Sequence, residues 1–310
     1  MDCLGSVKDV SRQFALRRFA PIKISLRLLY SSLLVSVIMP QWKNLLCNLG
    51  AWQGSFTRLS PQGEIREDIP SLVTLEGLNE NQSVRQTIQH FSAAGEIIHN
   101  KVLEYSSLSR SVLVFENGAF SQGSMQYAPF SEFGAEMGFI HGDRRLRLVQ
   151  LFDKNSDFSS LTLIREHRQH TLPAERPHLS VEMLLGEWQG EAVTLYPTWQ
   201  TPDQYDTQLV ITLEGERLRQ HHTTSQMQLT STAKRSGSTL LFDEGRYPIQ
   251  VLLLPDGASS NTPIALPKGT PFFLEVGWLI EDTLRQRMIR HYDANGGWHS
   301  LTLVTERKVA

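Results

Sequence analysis

From residue 50 onward, apolar and polar residues alternate over short runs separated by Gly, Pro, Asn and Asp. A period of two puts successive side chains on opposite faces of a strand. The pattern predicts strands over 71–75, 84–91, 102–105, 111–115, 119–127, 135–140 and 208–213. Ser60-Pro61-Gln62-Gly63, Glu116-Asn117-Gly118, Glu214-Gly215 and Leu254-Pro255-Asp256-Gly257 supply turn chemistry between runs. Helical spacing occurs at Trp42, Leu45, Leu46 and Leu49, ended by Gly50, and over 181–185, between Ser180 and Gly186. No long helical period follows Leu49, and many short strands predict an all-β barrel or sandwich.

The chain says much of this twice. Arg145-Leu-Arg147 leads through Asp153 and Asn155 to Ser160-Leu-Thr-Leu-Ile-Arg-Glu166. Arg285-Gln-Arg287 leads through Asp293 and Asn295 to Ser300-Leu-Thr-Leu-Val-Thr-Glu306, without a gap at an offset of 140. Leu-Gly-x-Trp-Gln-Gly (Trp52, Trp188), Phe-x-x-Gly (Phe115, Phe242) and Glu-x-Gly-aromatic (Glu136, Glu275) also recur in the same order. Four ordered landmarks predict two tandem copies of one β-unit. The expected organisation is an extension over 1–38, a first barrel over 39–166, a linker over 167–179 and a second barrel over 180–310. The linker expectation rests on the polar, proline-containing stretch 167–178.

Charge matters mainly at the N-terminus. Residues 1–38 hold six basic and two acidic side chains, whereas the whole chain carries -2. Their apolar run over 28–38 is too short to span a bilayer as a helix. No small-x-small site closes it, and Met39-Pro40 reads like a fresh start. An extension or upstream start is favoured over a signal peptide or a membrane-surface anchor, so no stable membrane insertion is expected. The near-neutral balance argues against a nucleic-acid partner. Two cysteines are too few for a disulfide framework, and a cytoplasmic location is expected. His221-His222 reads as a pair of surface histidines, and neither a metal nor a cofactor is expected.

Gly50-Ala51-Trp52 and Gly186-Glu187-Trp188, each behind a short helix, resemble the opening of lipocalin-like (calycin) barrels. The resemblance implies two tandem antiparallel barrels, each plugged at one end by Trp52 or Trp188. It also implies an Arg after the last strand stacked on that Trp: Arg165, and in the second copy Arg307, displaced by two positions. Such a contact contributes about 0.5–2 kcal/mol. Residues 39–310 further resemble a cyanobacterial family of tandem calycin-like proteins, through Phe115-Glu-Asn-Gly-Ala-Phe-Ser-Gln-Gly123, Gly142-Asp-Arg-Arg-Leu-Arg-Leu-Val-Gln-Leu-Phe-Asp153 and Leu252-Leu-Leu-Pro-Asp-Gly-Ala-Ser259. Related cyanobacterial calycins include phycobiliprotein lyases, which hold a linear tetrapyrrole.

A tight hairpin at 141–144 sets Gly138 opposite Arg147 and Glu136 opposite Val149, so that Glu136 and Arg147 are diagonal neighbours on one face. Glu275 and Arg287 offer the same pair, with the turn register open by one residue. Arg145 and Arg285 share these faces. An inward face would present guanidinium groups to a ligand carboxylate, with Glu holding them or acting as acid/base. An outward face would carry wet cross-strand ion pairs, each contributing about 0–1 kcal/mol. The apolar alternate face of the first copy (Leu146, Leu148, Phe152) points to the outward reading; the second copy is mixed. The leading functional expectation is carriage of a small hydrophobic, carboxylate-bearing ligand such as a fatty acid, pigment or bilin. The alternatives are a calycin-type enzyme for chromophore attachment or isomerisation, and an assembly factor with filled barrels and a protein partner.

Overall fold

The computed structural model describes residues 41–198, 200–225 and 227–309; the expected extension over 1–38 lies outside them. A helical turn over 41–45 continues as a 3-10 turn over Leu46–Asn48. Gly50, at φ +119°, then swings the chain into the first strand, a backbone conformation that favours glycine.

Nine strands follow: β1 (Gly50–Leu59), β2 (Ile65–Leu78), β3 (Ser83–Phe91), β4 (Ile97–Tyr105), β5 (Val112–Val114), β6 (Phe120–Gly123), β7 (Phe133–His141), β8 (Arg144–Phe152) and β9 (Phe158–Arg168). A four-residue helix, Val181–Leu184, opens the second copy. Ten more strands complete it: β10 (Gly186–Leu195), β11 (Asp203–Glu214), β12 (Arg217–Thr224), β13 (Gln228–Ser236), β14 (Thr239–Phe242), β15 (Ile249–Leu253), β16 (Ala258–Pro263), β17 (Phe272–Glu281), β18 (Leu284–Tyr292) and β19 (Trp298–Lys308). All the pairings between these strands are antiparallel, and the all-β class stands.

The two copies differ in closure. Strands β10 to β19 form a closed barrel, whereas the first sheet runs β4-β3-β2-β1-β9-β8-β7-β6-β5 and stays open between β4 and β5. Turn length gives the reason. A two-residue hairpin at 237–238 forces β13 and β14 to pair, from Lys234↔Leu241 to Ser236↔Thr239. The polar connection 106–111 imposes no such pairing.

Hairpin 141–144 has the register read from the sequence: Gly138 faces Arg147 and Glu136 faces Val149. In the second copy Gly277 faces Arg287 and Glu275 faces Ile289. A bulge between Leu279 and Glu281 absorbs the one-residue ambiguity there. Strand β9 runs on to Arg168, past the start of the expected linker, and residues 171–180 carry no regular structure.

The largest hydrophobic core lies between the two copies. It joins Met137, Phe139, Leu146, Leu148 and Phe152 to Val276, Trp278, Met288 and Tyr292. Each fully buried large apolar side chain contributes about 1.5–3 kcal/mol. Polar groups cross the same surface. Gln150 Nε2 donates to Ser260 Oγ at 2.8 Å. Arg290 stacks on Trp298 at 3.4 Å and donates to Ser121 Oγ at 3.1 Å and Ser124 O at 3.0 Å. Arg144 pairs with Asp256. The outer faces of β7, β8, β17 and β18 are therefore as dry as a core.

Candidate functional site

That burial decides where the repeated charges point. With Leu146 and Leu148 turned to the other copy, Arg145 and Arg147 face the lumen of the first sheet. Arg145 lies over the Trp52 ring at 4.5 Å and Arg147 over Phe56 at 5.4 Å. Arg145 Nε donates to Glu166 Oε2 at 2.7 Å. Arg147 donates to the same carboxylate from Nε (3.0 Å) and Nη2 (2.9 Å), and from Nη1 to Glu136 Oε1 at 2.7 Å. Two guanidinium groups and two carboxylates thus form one internally paired cluster.

The second copy repeats it. Arg285 Nε and Arg287 Nε both donate to Glu306 Oε1, the latter at 3.0 Å, and Arg287 Nη1 reaches Glu275 Oε1 at 3.3 Å. Glu166 and Glu306 are the residues that sequence reasoning passed over. Both end the repeated phrase, and pairing β9 to β8 and β19 to β18 places them directly opposite Arg145 and Arg285. The repeated Trp-Gln-Gly motif has its explanation here. A Cβ on Gly54 would fall 2.8 Å from Glu166 Cα, and one on Gly190 2.6 Å from Glu306 Cβ. The atoms met first are backbone oxygens, Arg165 O and Thr305 O, so glycine is what lets β9 and β19 approach this closely at the row of the buried Glu.

Burial opposes ionisation of Glu166, but the attraction and hydrogen bonds of Arg145 and Arg147 outweigh it and hold its carboxyl at about 2. The same balance lowers Glu306. The pairs are buried structural charges with their main hydrogen-bonding capacity turned inward.

Trp52 and Trp188 are fully buried beneath these clusters, and each indole Nε1 donates to a carbonyl of its preceding helical turn, Asn48 O at 2.8 Å and Leu184 O at 2.9 Å. The stacking residue is corrected. Arg168 lies over Trp52 at 3.9 Å and donates to Leu49 O, whereas Arg165 faces the other way and pairs with Glu175 at 2.9 Å. Strand alternation explains it: Arg165 differs in parity from Glu166, and Arg168 shares it. In the second copy Lys308, in the matching register and at 5.2 Å from the ring, takes the place expected for Arg307.

Above each cluster the lumen opens. Phe56, Ile88, His90 and Val149 point inward in the first copy and are only partly buried. Tyr205, His222, Asn261 and Phe273 do so in the second. In the closed second barrel such side chains meet solvent only where the lumen is open, and in the first copy the gap between β4 and β5 exposes them as well. His222 is thus a wall residue rather than the surface histidine expected. Each copy is a cup with a charged floor, apolar and aromatic walls, and a Trp plug. Outside the cups, Asp68, Arg144, Arg165, Glu175 and Asp256 line a groove of about 360 Å³. Among the described residues no helix is long and apolar enough to cross a membrane.

Residues 39–171 match the family described as "Domain of unknown function (DUF3598), N-terminal". Residues 175–309 match "Biogenesis factor required for ATP synthase 1, C-terminal domain". None of the curated proteins compared matches the chain. Among solved structures, the S-type phycobiliprotein lyase of Guillardia theta aligns at 12% identity and TM-score 0.31 over 42% of this chain and 90% of its own. A transferrin binding protein B variant of Haemophilus parasuis aligns at 8% and 0.25, over 84% and 59%. A DUF3598 protein of the cyanobacterium Nostoc punctiforme aligns at TM-score 0.83, over 87% of this chain and 99% of its own. With 50% of residues identical across that alignment, the chain belongs to the DUF3598 family.

Proposed function

We propose that the chain binds a small, largely apolar molecule in its barrel cups. The observation that carries this reading is the half-buried lumen wall above a buried polar floor, built twice from the same sequence landmarks. Fatty acids, pigments and bilins are the candidate classes. The carboxylate contact expected at Arg145, Arg147, Arg285 and Arg287 is not favoured, because Glu136, Glu166, Glu275 and Glu306 already engage those groups. The test is purification from the native host, solvent extraction, absorbance and mass spectrometry, followed by titration with each class. A protein that yields no small molecule and binds none of them refutes the reading.

A second reading, a factor that assists the assembly of another protein, has its own support. Residues 175–309 match a domain named for ATP synthase biogenesis. Edge strand β4 pairs only with β3 among the described residues and exposes Ile98 (61%) and Val102 (52%); such edges are normally covered or charged. Ile98→Lys with Val102→Lys is expected to abolish capture of a partner while leaving ligand binding intact. Unchanged capture removes the edge from this reading.

A further inference from the structure

We infer that the second barrel holds a seat for an uncharged hydrogen-bonding headgroup, formed by Thr207, His222 and Asn261 beside the Arg287–Glu306 pair. This rests on the ligand-binding reading and names the chemistry of the end that enters first.

Strands β11, β12 and β16 supply the three residues. Their registers put all three on the lumen face: Thr207 shares its face with Leu209 and Ile211, His222 stands opposite Leu209, and Asn261 stands opposite Glu275. Thr207 Oγ1, His222 Nε2 and Asn261 Oδ1 are each buried without a partner among the described residues. Thr207 is 5% exposed. Buried polar atoms nearly always have partners, so three orphans converging on one lumen call for one.

The floor beside them decides the class of that partner. Asn261 Nδ2 donates to Glu275 Oε2 at 3.2 Å, and Glu275 in turn accepts from Arg287. Two Arg and two Glu cancel, so the floor offers no net charge to an ion, and a carboxylate would exchange its hydration for at most one charged donor, Arg285 Nη2, which already lies against Glu306. The orphans include a free acceptor at Asn261 Oδ1 and a hydroxyl at Thr207 that both donates and accepts. A primary amide or an alcohol satisfies both. Toward the mouth, Ala192, Ile289 and Val304 pack with Tyr205 and Phe273 into an apolar collar suited to a hydrocarbon tail. Below, Trp188 closes the barrel.

The first copy is less suited. Ser71 Oγ and His90 Nε2 are also orphans, but Gln122, which faces Glu136 as Asn261 faces Glu275, is exposed, so its carbonyl is left to water.

The experiment titrates the full chain at pH 8 with dodecanamide, dodecanol and dodecanoate by calorimetry. Dodecanamide and dodecanol are expected to bind at least about tenfold more tightly than dodecanoate, the ratio that one or two satisfied hydrogen bonds supply. Thr207→Val with Asn261→Leu is expected to erase that preference. The side-chain ¹⁵N resonances of His222 in the unmodified protein are expected to move on adding dodecanamide, a readout independent of whether the variant folds. Dodecanoate binding as tightly as the amide, or unmoved His222 resonances with bound amide, overturns the seat and leaves ligand carriage standing. Failure of all three compounds to bind overturns the seat, and ligand carriage then falls only if extraction and the pigment and bilin titrations are negative as well.

Discussion

Glu166→Gln keeps the shape of the side chain and removes its charge. In the folded protein this carboxylate is fully buried and accepts three hydrogen bonds from two guanidinium groups. Without it only Glu136 remains, which is partly exposed and hydrogen-bonds Arg147, leaving Arg145 without a hydrogen-bonded carboxylate among the described residues. Breaking a buried pair by removing one partner costs about 3–5 kcal/mol. Linkage gives a similar figure: the carboxyl lies at about 2 when folded against 4.5 for the ordinary group, a difference corresponding to about 3 kcal/mol. The sign follows from the lowered value. The stabilisation is fully present above about pH 4.5 and is lost as pH falls through 2. In a unit of this size the expected drop in Tm at neutral pH is roughly 6–20 °C. Urea unfolding between pH 2 and 7 is the assay: wild type should lose stability steeply on the acid limb, and the variant should lack that part of the slope. A neutral-pH loss under about 1 kcal/mol, or identical acid limbs, would show that the cluster behaves as a screened surface pair and refute its placement.

The Trp plug gives a second prediction. Arg168→Met removes a stacked cation and a charged donor to Leu49 O, costing about 2 kcal/mol and shifting the Trp52 indole resonance; Arg165→Met should leave that resonance in place, and the reverse result would restore the original assignment. Desolvation in the lumen, with a smaller contribution from His299, holds His291 at about 4 against its usual 6.5. The neutral ring therefore stabilises the fold above about pH 6.5 and that contribution is lost as pH falls through 4. His291→Gln should flatten part of that limb, and an NMR titration midpoint above 6 would contradict it.

Much was legible in the chain because the relevant rules are local. Alternation placed the strands, two-residue turns fixed the 141–144 register, and the offset of 140 exposed the duplication. The same locality explains the errors. Arg165 was matched to Trp52 by its place after the last strand, but β9 runs three residues further, and parity hands the stack to Arg168. Glu166 and Glu306 lay in plain view at the end of the repeated phrase, yet their partners are set by pairing between strands that no local rule aligns.

The face question separates the two levels most clearly. By itself the sequence determined that Arg145 and Arg147 share a side opposite Leu146 and Leu148, since strand geometry allows nothing else. It could not determine which side was inside, because hydrophobicity marks burial and not direction. Here both sides are buried: the apolar one against the second copy, the charged one in the lumen, where Glu166 and Glu136 neutralise it. Only the docking of one barrel on the other decided that, by taking the apolar face out of water and leaving the charged face to line the cup.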